Sequence, residues 1–340
     1  ALTLWDSIPD QQLARAAAEG KLKTKDQIAV ASRRMVADPR AKAKLRGFFQ
    51  HWLELERADS SLKDPKVFPG FDETMFADLR ESLWLFLEET VWSDTSDYRQ
   101  LITADYMWLN ERLGKYYGKD VKGAEFQRVN FGAAQRNGII THPYLLALHS
   151  YSRASSPIHR GVFLSRNVVG LSLKNPSVAA SFDNQKFDPS LTMREKVTQL
   201  TKTGACASCH TVINPFGFSL EHYDAVGRWR TEDNHKPVNT VAEFDTDDGR
   251  TVKLKGPKDI ADYTVGSPIA HRAFVRQLFF HIVKQNPLAF GEHTLDELRE
   301  QFEKNGFNIQ KLLGDIATVA AMHALTPPPQ KVAENSPAAR

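Results

Sequence analysis

The sequence predicts a mainly α, multi-domain fold with one small β-hairpin in its C-terminal half, and three observations predict it. Apolar side chains recur at helical spacing through most of the 340 residues, Gly and Pro punctuate those stretches, and two β-type runs flank a single Asp/Gly-rich turn. A chain of 340 residues exceeds what one hydrophobic core usually holds, so two or three packed units are expected. Hydrophobic residues at 41% and charged residues at 25% leave little room for a mostly disordered, collagenous or membrane-spanning chain.

Taken in order, Pro9-Asp10 opens an amphipathic stretch through Ala18 that Gly20 closes, and Asp26 begins another carrying Ile28, Ala31 and Met35 on one side. Pro39 starts a third helix with Leu45, Phe48, Phe49, Trp52 and Leu53 at helical spacing, and Phe71 to Val91 supplies Met75, Leu79, Leu83, Trp84, Phe86 and Leu87. These aromatic stripes read as core. From Asn130 the texture changes: Pro143 introduces the short helix Tyr144 to Leu148, a Ser-rich run follows, and Gly161 to Gly170 reads as a further helix. Ser172 to Pro189 is polar and aperiodic, which suits a surface crossing. Leu191 to Lys202 is helical in pattern, whereas Val238 to Phe244 and Thr251 to Leu254 are β-type runs around Asp245 to Arg250. Helix returns at Pro268 to Gln285, Thr294 to Lys304 and Asn308 to Met322. The expected units are a helical domain at 1–125, a middle helical and loop domain at 126–190, a third domain at 191–325 and a mobile tail at 326–340.

Charge names no partner. Forty-four Lys plus Arg against 41 Asp plus Glu leave +3, too small a surplus over this length for a nucleic-acid footprint. No stretch approaches the length of apolar sequence that spans a membrane. The chain opens at Ala1 with neither an initiator Met nor a basic-then-apolar leader, so the expectation is that a preceding segment has been removed.

Two cysteines cannot frame a disulfide-built fold, yet both fall in Cys206-Ala207-Ser208-Cys209-His210. Random placement gives that separation with odds of roughly 1 in 170, and the following His brings coincidence to about 1 in 5000. Cys-x-x-Cys-His is the pattern for covalent attachment of one c-type haem. Two intervening residues let Cys206 and Cys209 reach both vinyl groups of a porphyrin, and His210 then lies under the iron as an axial ligand. A thioredoxin-like dithiol would follow a strand rather than the helical Leu191 to Lys202, and zinc would need a second ligand pair that is missing from the sequence. A plain structural pair is the third competing reading.

Downstream, Asn214-Pro215-Phe216-Gly217-Phe218 reads as a rigid turn with two rings beside a planar cofactor. The carbonyl of Pro215, or one beside it, is a candidate acceptor for the His210 N–H, with a simple turn as the alternative. Arg228 and Arg230 are candidates for pairing haem propionates, against a surface pair flanking a core Trp229. Phe216, Phe218 and Trp229 would keep water from the porphyrin, which lifts its potential.

On these residues the sequence resembles the planctomycete-type cytochrome c domain family, a set of domains largely without assigned function. Asp6 to Asp10, Glu19 to Leu22 and Met35 to Arg40 look like its helical domain. Gly138 to Thr141, Ser155 to Pro157 and Arg160-Gly161 look like its middle domain. Cys206 to His210 with Pro215, Gly217-Phe218, Leu220-Glu221, Asp224 and Gly227 to Arg230 look like its haem-bearing domain, and the resemblance covers nearly the whole chain. Two departures stand out: relatives carry a proline run where Leu171 to Ala180 holds only Pro176, and relatives begin further upstream.

Reactivity would turn on the group opposite His210. His281, on a strongly apolar helix, is the first distal candidate, followed by His222 and His149 and then by His271, His142 and His159. Met322 reads foremost as core packing. The functional expectation is a mono-haem c-type cytochrome transferring electrons within a larger exported oxidoreductase system, periplasmic or otherwise outside the cytoplasm. Its expected partners are a redox protein and the upstream segment or another subunit. A haem enzyme of peroxidase or oxidase type is the alternative, and a binding module with haem as an anchor is a third.

Overall fold

The computed structural model describes residues 1–56, 62–173, 186–202, 204–246 and 248–325. The expected tail at 326–340 and Pro176, the only proline of Leu171 to Ala180, lie outside the described residues. Helix dominates. The first helices are α1 (Leu2–Trp5), α2 (Gln11–Ala18), α3 (Lys25–Val36), α4 (Pro39–Trp52), α5 (Glu73–Trp92) and α6 (Tyr98–Thr103). Their starts follow from side chains that satisfy the free N–H groups of a first turn. Asp10 accepts from the Leu13 N–H, Thr24 and Gln27 cap each other's backbone, Asp38 precedes Pro39, and Asp72 accepts from Met75.

The aromatic stripes are core, as their spacing predicts. Phe48 stacks on Trp52 at 5.6 Å and meets the edge of Phe274, from a helix more than two hundred residues later, at 5.8 Å. One continuous apolar cluster therefore runs from Leu4 to Ala317, with a small second cluster of Met193, Val197 and Phe218.

The stretch read as purely helical also holds strands. β1 (Tyr106–Leu109) precedes α7 (Glu111–Tyr117) and pairs antiparallel with β2 (Gln127–Asn130), Tyr106 opposite Asn130. Four apolar residues are too few to show a period, and β2 is polar and mostly exposed, so neither announces itself. A 3-10 turn at Gly138–Ile140 leads to α8 (Pro143–Leu148). The helix expected from Gly161 begins earlier, as α9 (Pro157–Phe163), widens to a π-type turn at Leu164–Val169, and ends on left-handed Gly170.

Helix α10 (Met193–Thr201) opens with a Thr192/Glu195 capping box and delivers the chain to α11 (Gly204–Phe218). After it come β3 (Glu232–Asp233) with β4 (Lys236–Pro237), joined by Asn234 and His235 at positive φ, and the expected hairpin of β5 (Ala242–Asp245) and β6 (Thr251–Leu254). The chain closes with α12 (Pro257–Gly266), α13 (Pro268–Val283), α14 (Thr294–Lys304) and α15 (Ile309–Leu325). No helix among the described residues is long and apolar enough to cross a membrane.

Helix α9 lies across α11 with backbone nearly touching backbone. A Cβ on Gly161 would stand 2.2 Å from the Ile213 carbonyl oxygen, and one on Gly217 would stand 2.0 Å from that of Pro157. Gly217→Ala must therefore push the helices apart, and we expect a loss of about 1–3 kcal/mol in urea unfolding. Gly266→Ala, with open space around the new methyl, should stay within about 0.5 kcal/mol of the parent. Equal midpoints for the two variants would refute the tight crossing.

Candidate functional site

Cys206, Cys209 and His210 stand at i, i+3 and i+4 of α11, so the helix turns all three side chains toward one side. All three are half-buried, and the two thiols are free rather than bridged. His210 is held from behind: its Nδ1 lies 2.9 Å from Oδ1 of Asn214, one turn on in the same helix. The Asn214 amide nitrogen donates to Thr201 Oγ1 on α10 at 2.8 Å, and Thr201 Oγ1 donates to the Val197 carbonyl at 2.8 Å.

This corrects the expected acceptor. Pro215 stands inside α11, not in a turn, and its carbonyl accepts from the Ser219 N–H at 3.2 Å and hydroxyl at 2.7 Å. Asn214 and Thr201 are the residues that sequence reasoning missed. Asn214 follows His210 at i+4, which was the available signal; Thr201 left none.

Two of the three expected lining residues, Phe216 and Phe218, turn inward. Phe216 is wholly buried with its ring 4.9 Å from Phe244 of β5, and Phe218 is buried with the Arg194 guanidinium 4.3 Å from its centre. Both rings belong to the protein's own core. Arg228 pairs with Asp224 at 2.8 Å. Arg230 pairs with Glu221 at 2.9 Å and Asp233 at 2.7 Å. Carboxylates of this chain meet both terminal nitrogens of Arg230, which is a physical reason against a propionate role for that residue, whereas Arg228 meets Asp224 through Nε alone. Trp229, 39% exposed, lies flat against His222 at 4.5 Å and edge-on to Tyr223.

The distal candidates are scattered. His281 on α13 faces α4, with its ring 5.7 Å from Phe48, and burial lowers its pKa to about 4. His222 Nδ1 is 2.9 Å from the Arg230 carbonyl, and His271 Nε2 is 2.9 Å from that of Val265. His149 is buried and stacked 4.4 Å from Phe163, His159 Nδ1 sits 3.0 Å from Ser156 Oγ, and Met322 lines a cleft beside α14 and α15. His142 caps α8, its Nδ1 accepting from the Tyr144 N–H, with Nε2 3.4 Å from Ser82 Oγ. His281, His222, His271 and His142 thus have their partners away from His210.

A cleft of about 400 Å³ opens between α10 and β4, with Arg194, Lys202 and Lys236 on its walls and buried Glu221 beneath. Desolvation raises the Glu221 pKa against the pull of Arg230 and Arg160.

Fold and site together define a mainly helical protein that presents two thiols and an imidazole from one helix. More particularly, the family model PSD4, a protein of unknown function (DUF1592), matches residues 1–118, and PSCyt3, a protein of unknown function (DUF1588), matches residues 136–233. Both are planctomycete cytochrome c-type domain families and fit the resemblance read from the sequence; the second match spans α8 to α11 and so includes residues 206–210. No curated protein and no solved structure matches the chain.

Burial fixes one pH dependence. His142 has its pKa lowered from 6.5 to about 3 by desolvation, with the Arg136 charge adding to the effect. The unfolded chain takes up this proton below about pH 6.5 and the native chain does not, so stability falls as pH drops through that window. His142→Asn keeps a capping oxygen and removes the titration. Between about pH 7 and pH 5 the variant should lose about 2 kcal/mol less than the parent in urea unfolding. Parallel pH profiles for parent and variant would contradict this.

Proposed function

We propose that this chain is a mono-haem c-type cytochrome, with the cofactor tethered by thioethers at Cys206 and Cys209 and ligated by His210, acting in electron transfer. The observation that carries the reading is the placement of two free, accessible thiols and a hydrogen-bonded imidazole on one side of α11 at the spacing such attachment needs. The residues fit the group: both sulfurs can be alkylated without breaking an existing bridge, and His210 keeps Nε2 for a metal while Nδ1 is occupied. Such a haem supplies a one-electron couple at its iron. The protein's part is to tether it, to orient one ligand, and to bury Phe216, Phe218 and Ile213 beneath the attachment helix so that α11 keeps its register. The thioethers of such a haem are completed outside the cytoplasm, which supports an exported location, and a redox protein is the partner this chemistry requires.

A peroxidase or oxidase type is the second reading. One observation favours it: both ring nitrogens of His142 have partners within the fold, at the Tyr144 N–H and Ser82 Oγ, which removes that candidate from the far side of the iron. A cyanide-induced change in the ferric spectrum supports this second reading, and an unchanged low-spin spectrum supports simple transfer.

Expression with the c-type maturation machinery tests the tether. The parent should gain the mass of one haem and give a haemochrome spectrum of the two-thioether kind. Cys206→Ser should retain a single thioether with a shifted band, and the double variant with Cys209→Ser should carry none. A colourless parent at its bare polypeptide mass ends the proposal.

A further inference from the structure

We propose that Asn214 and Thr201 are positioning residues for His210: they fix its proton on Nδ1 and present Nε2 as the lone-pair nitrogen, which makes the ring a stronger donor to a metal. The consequence for a metal rests on the haem reading above, whereas the tautomer does not.

The argument is a chain of donors and acceptors with one consistent solution. Thr201 Oγ1 spends its proton on the Val197 carbonyl, 2.8 Å away, so toward Asn214 it can only accept. The Asn214 amide nitrogen, 2.8 Å away, is therefore the group that faces it. That turns the amide oxygen toward His210 Nδ1 at 2.9 Å, and an amide oxygen has no proton to give. Nδ1 must be the donor. Amide orientation and ring tautomer are ordinarily ambiguous, and here the carbonyl of α10 decides both.

The relay also joins two helices. Val197 and Thr201 belong to α10, and Asn214 and His210 to α11, so the ring is oriented from outside its own helix. A second hydrogen bond on a ligating imidazole raises its basicity and holds its plane. A better donor favours the ferric state, so removing the acceptor should raise the reduction potential.

Two measurements test this. The full chain purified without haem is first examined by long-range nitrogen–proton NMR. His210 should show Nδ1 protonated, and both Asn214→Leu and Thr201→Val should move the ring toward the Nε2–H form that a histidine in water favours. Thr201→Val keeps the side chain's shape, so it serves if Asn214→Leu fails to fold. An Nε2–H ring in the parent, or no change in either variant, overturns the proposal.

The haem-loaded protein is then titrated spectroelectrochemically. Asn214→Leu should shift the ferric-to-ferrous equilibrium about tenfold toward the ferrous form, or about 59 mV for one electron. Asn214→Asp, which retains an acceptor and adds charge, should stay at or below the parent potential. Identical potentials in parent and Leu variant overturn the metal-tuning half. A parent that shows the Nδ1–H tautomer yet never acquires haem sinks the haem reading and leaves the relay standing, so the two failures are distinguishable.

Discussion

The rotation of α11 about its own axis is the constraint on which the site depends. Cys206, Cys209 and His210 share one side of the helix at i, i+3 and i+4, so a third of a turn would carry all three together away from their present aspect. Two contacts hold that angle. The glycine crossing lets α9 and α11 approach until the Gly217 backbone meets the Pro157 carbonyl, which leaves no freedom to roll. The Asn214 to Thr201 bond in turn ties α11 to α10 one turn on from His210. A steric contact and a hydrogen bond thus act on the same helix.

Behind this helix lies a set of buried cations whose cost decides what the arginines can do. Arg160 is 1% exposed, and its NH groups donate to the carbonyls of Tyr223 at 2.8 Å and Asp224 at 2.6 Å and to Ser150 Oγ at 2.9 Å. Lys63, also buried, donates to the carbonyls of Ala147, Ser150 and Tyr151. A buried charge is tolerated where its donors are met, and here the Lys63 ammonium and the terminal nitrogens of Arg160, though not its Nε, are met largely by carbonyl ends of α8 and of the 220–224 turn. Desolvation pulls the Lys63 pKa down to about 7, while three carbonyl acceptors favour its charged form. Arg230, bonded to Glu221, Asp233 and Ser155, completes the knot. The residues that carry the family resemblance around Arg160, Glu221, Asp224 and Arg230 therefore build the scaffold against which α11 is set.

Sequence periodicity revealed most helices because each combines a stripe with a cap: Asp38-Pro39 before Phe48 and Trp52, Ser267-Pro268 before Phe274 and Leu278. The β5 and β6 pair was legible for the matching reason, a polar turn between short β-type runs. Tyr106–Leu109 was not, since a strand of four residues is shorter than the window in which a period shows. At the site, residues 206–210 were legible as a local pattern. The partners of Arg228 and Arg230 were partly within reach, at Asp224 and Asp233, yet a local salt bridge and a propionate contact look alike in sequence. Thr201 lies 13 residues from Asn214, across a helix junction, where local rules have nothing to say.

The most instructive failure is Pro215, where the sequence argues for a turn and the chain continues as helix. Proline inside a helix removes one backbone donor, and the residue before it is disfavoured in helical conformation. The lost bond would have run to the carbonyl of Thr211, an exposed residue whose carbonyl water can serve, so the cost falls on the solvent side. The inner side is compensated by Asn214, whose side chain bonds both His210 and Thr201, and by Gly217, which lets α9 close against the turn that follows. Local preference is thus overridden at 214 and 215, directly beneath His210. A chain that breaks local rules does so where another requirement outweighs them. Here that requirement is an uninterrupted helical register from Cys206 to Gly217, without which the thiols, the imidazole and the crossing could not share one rigid element.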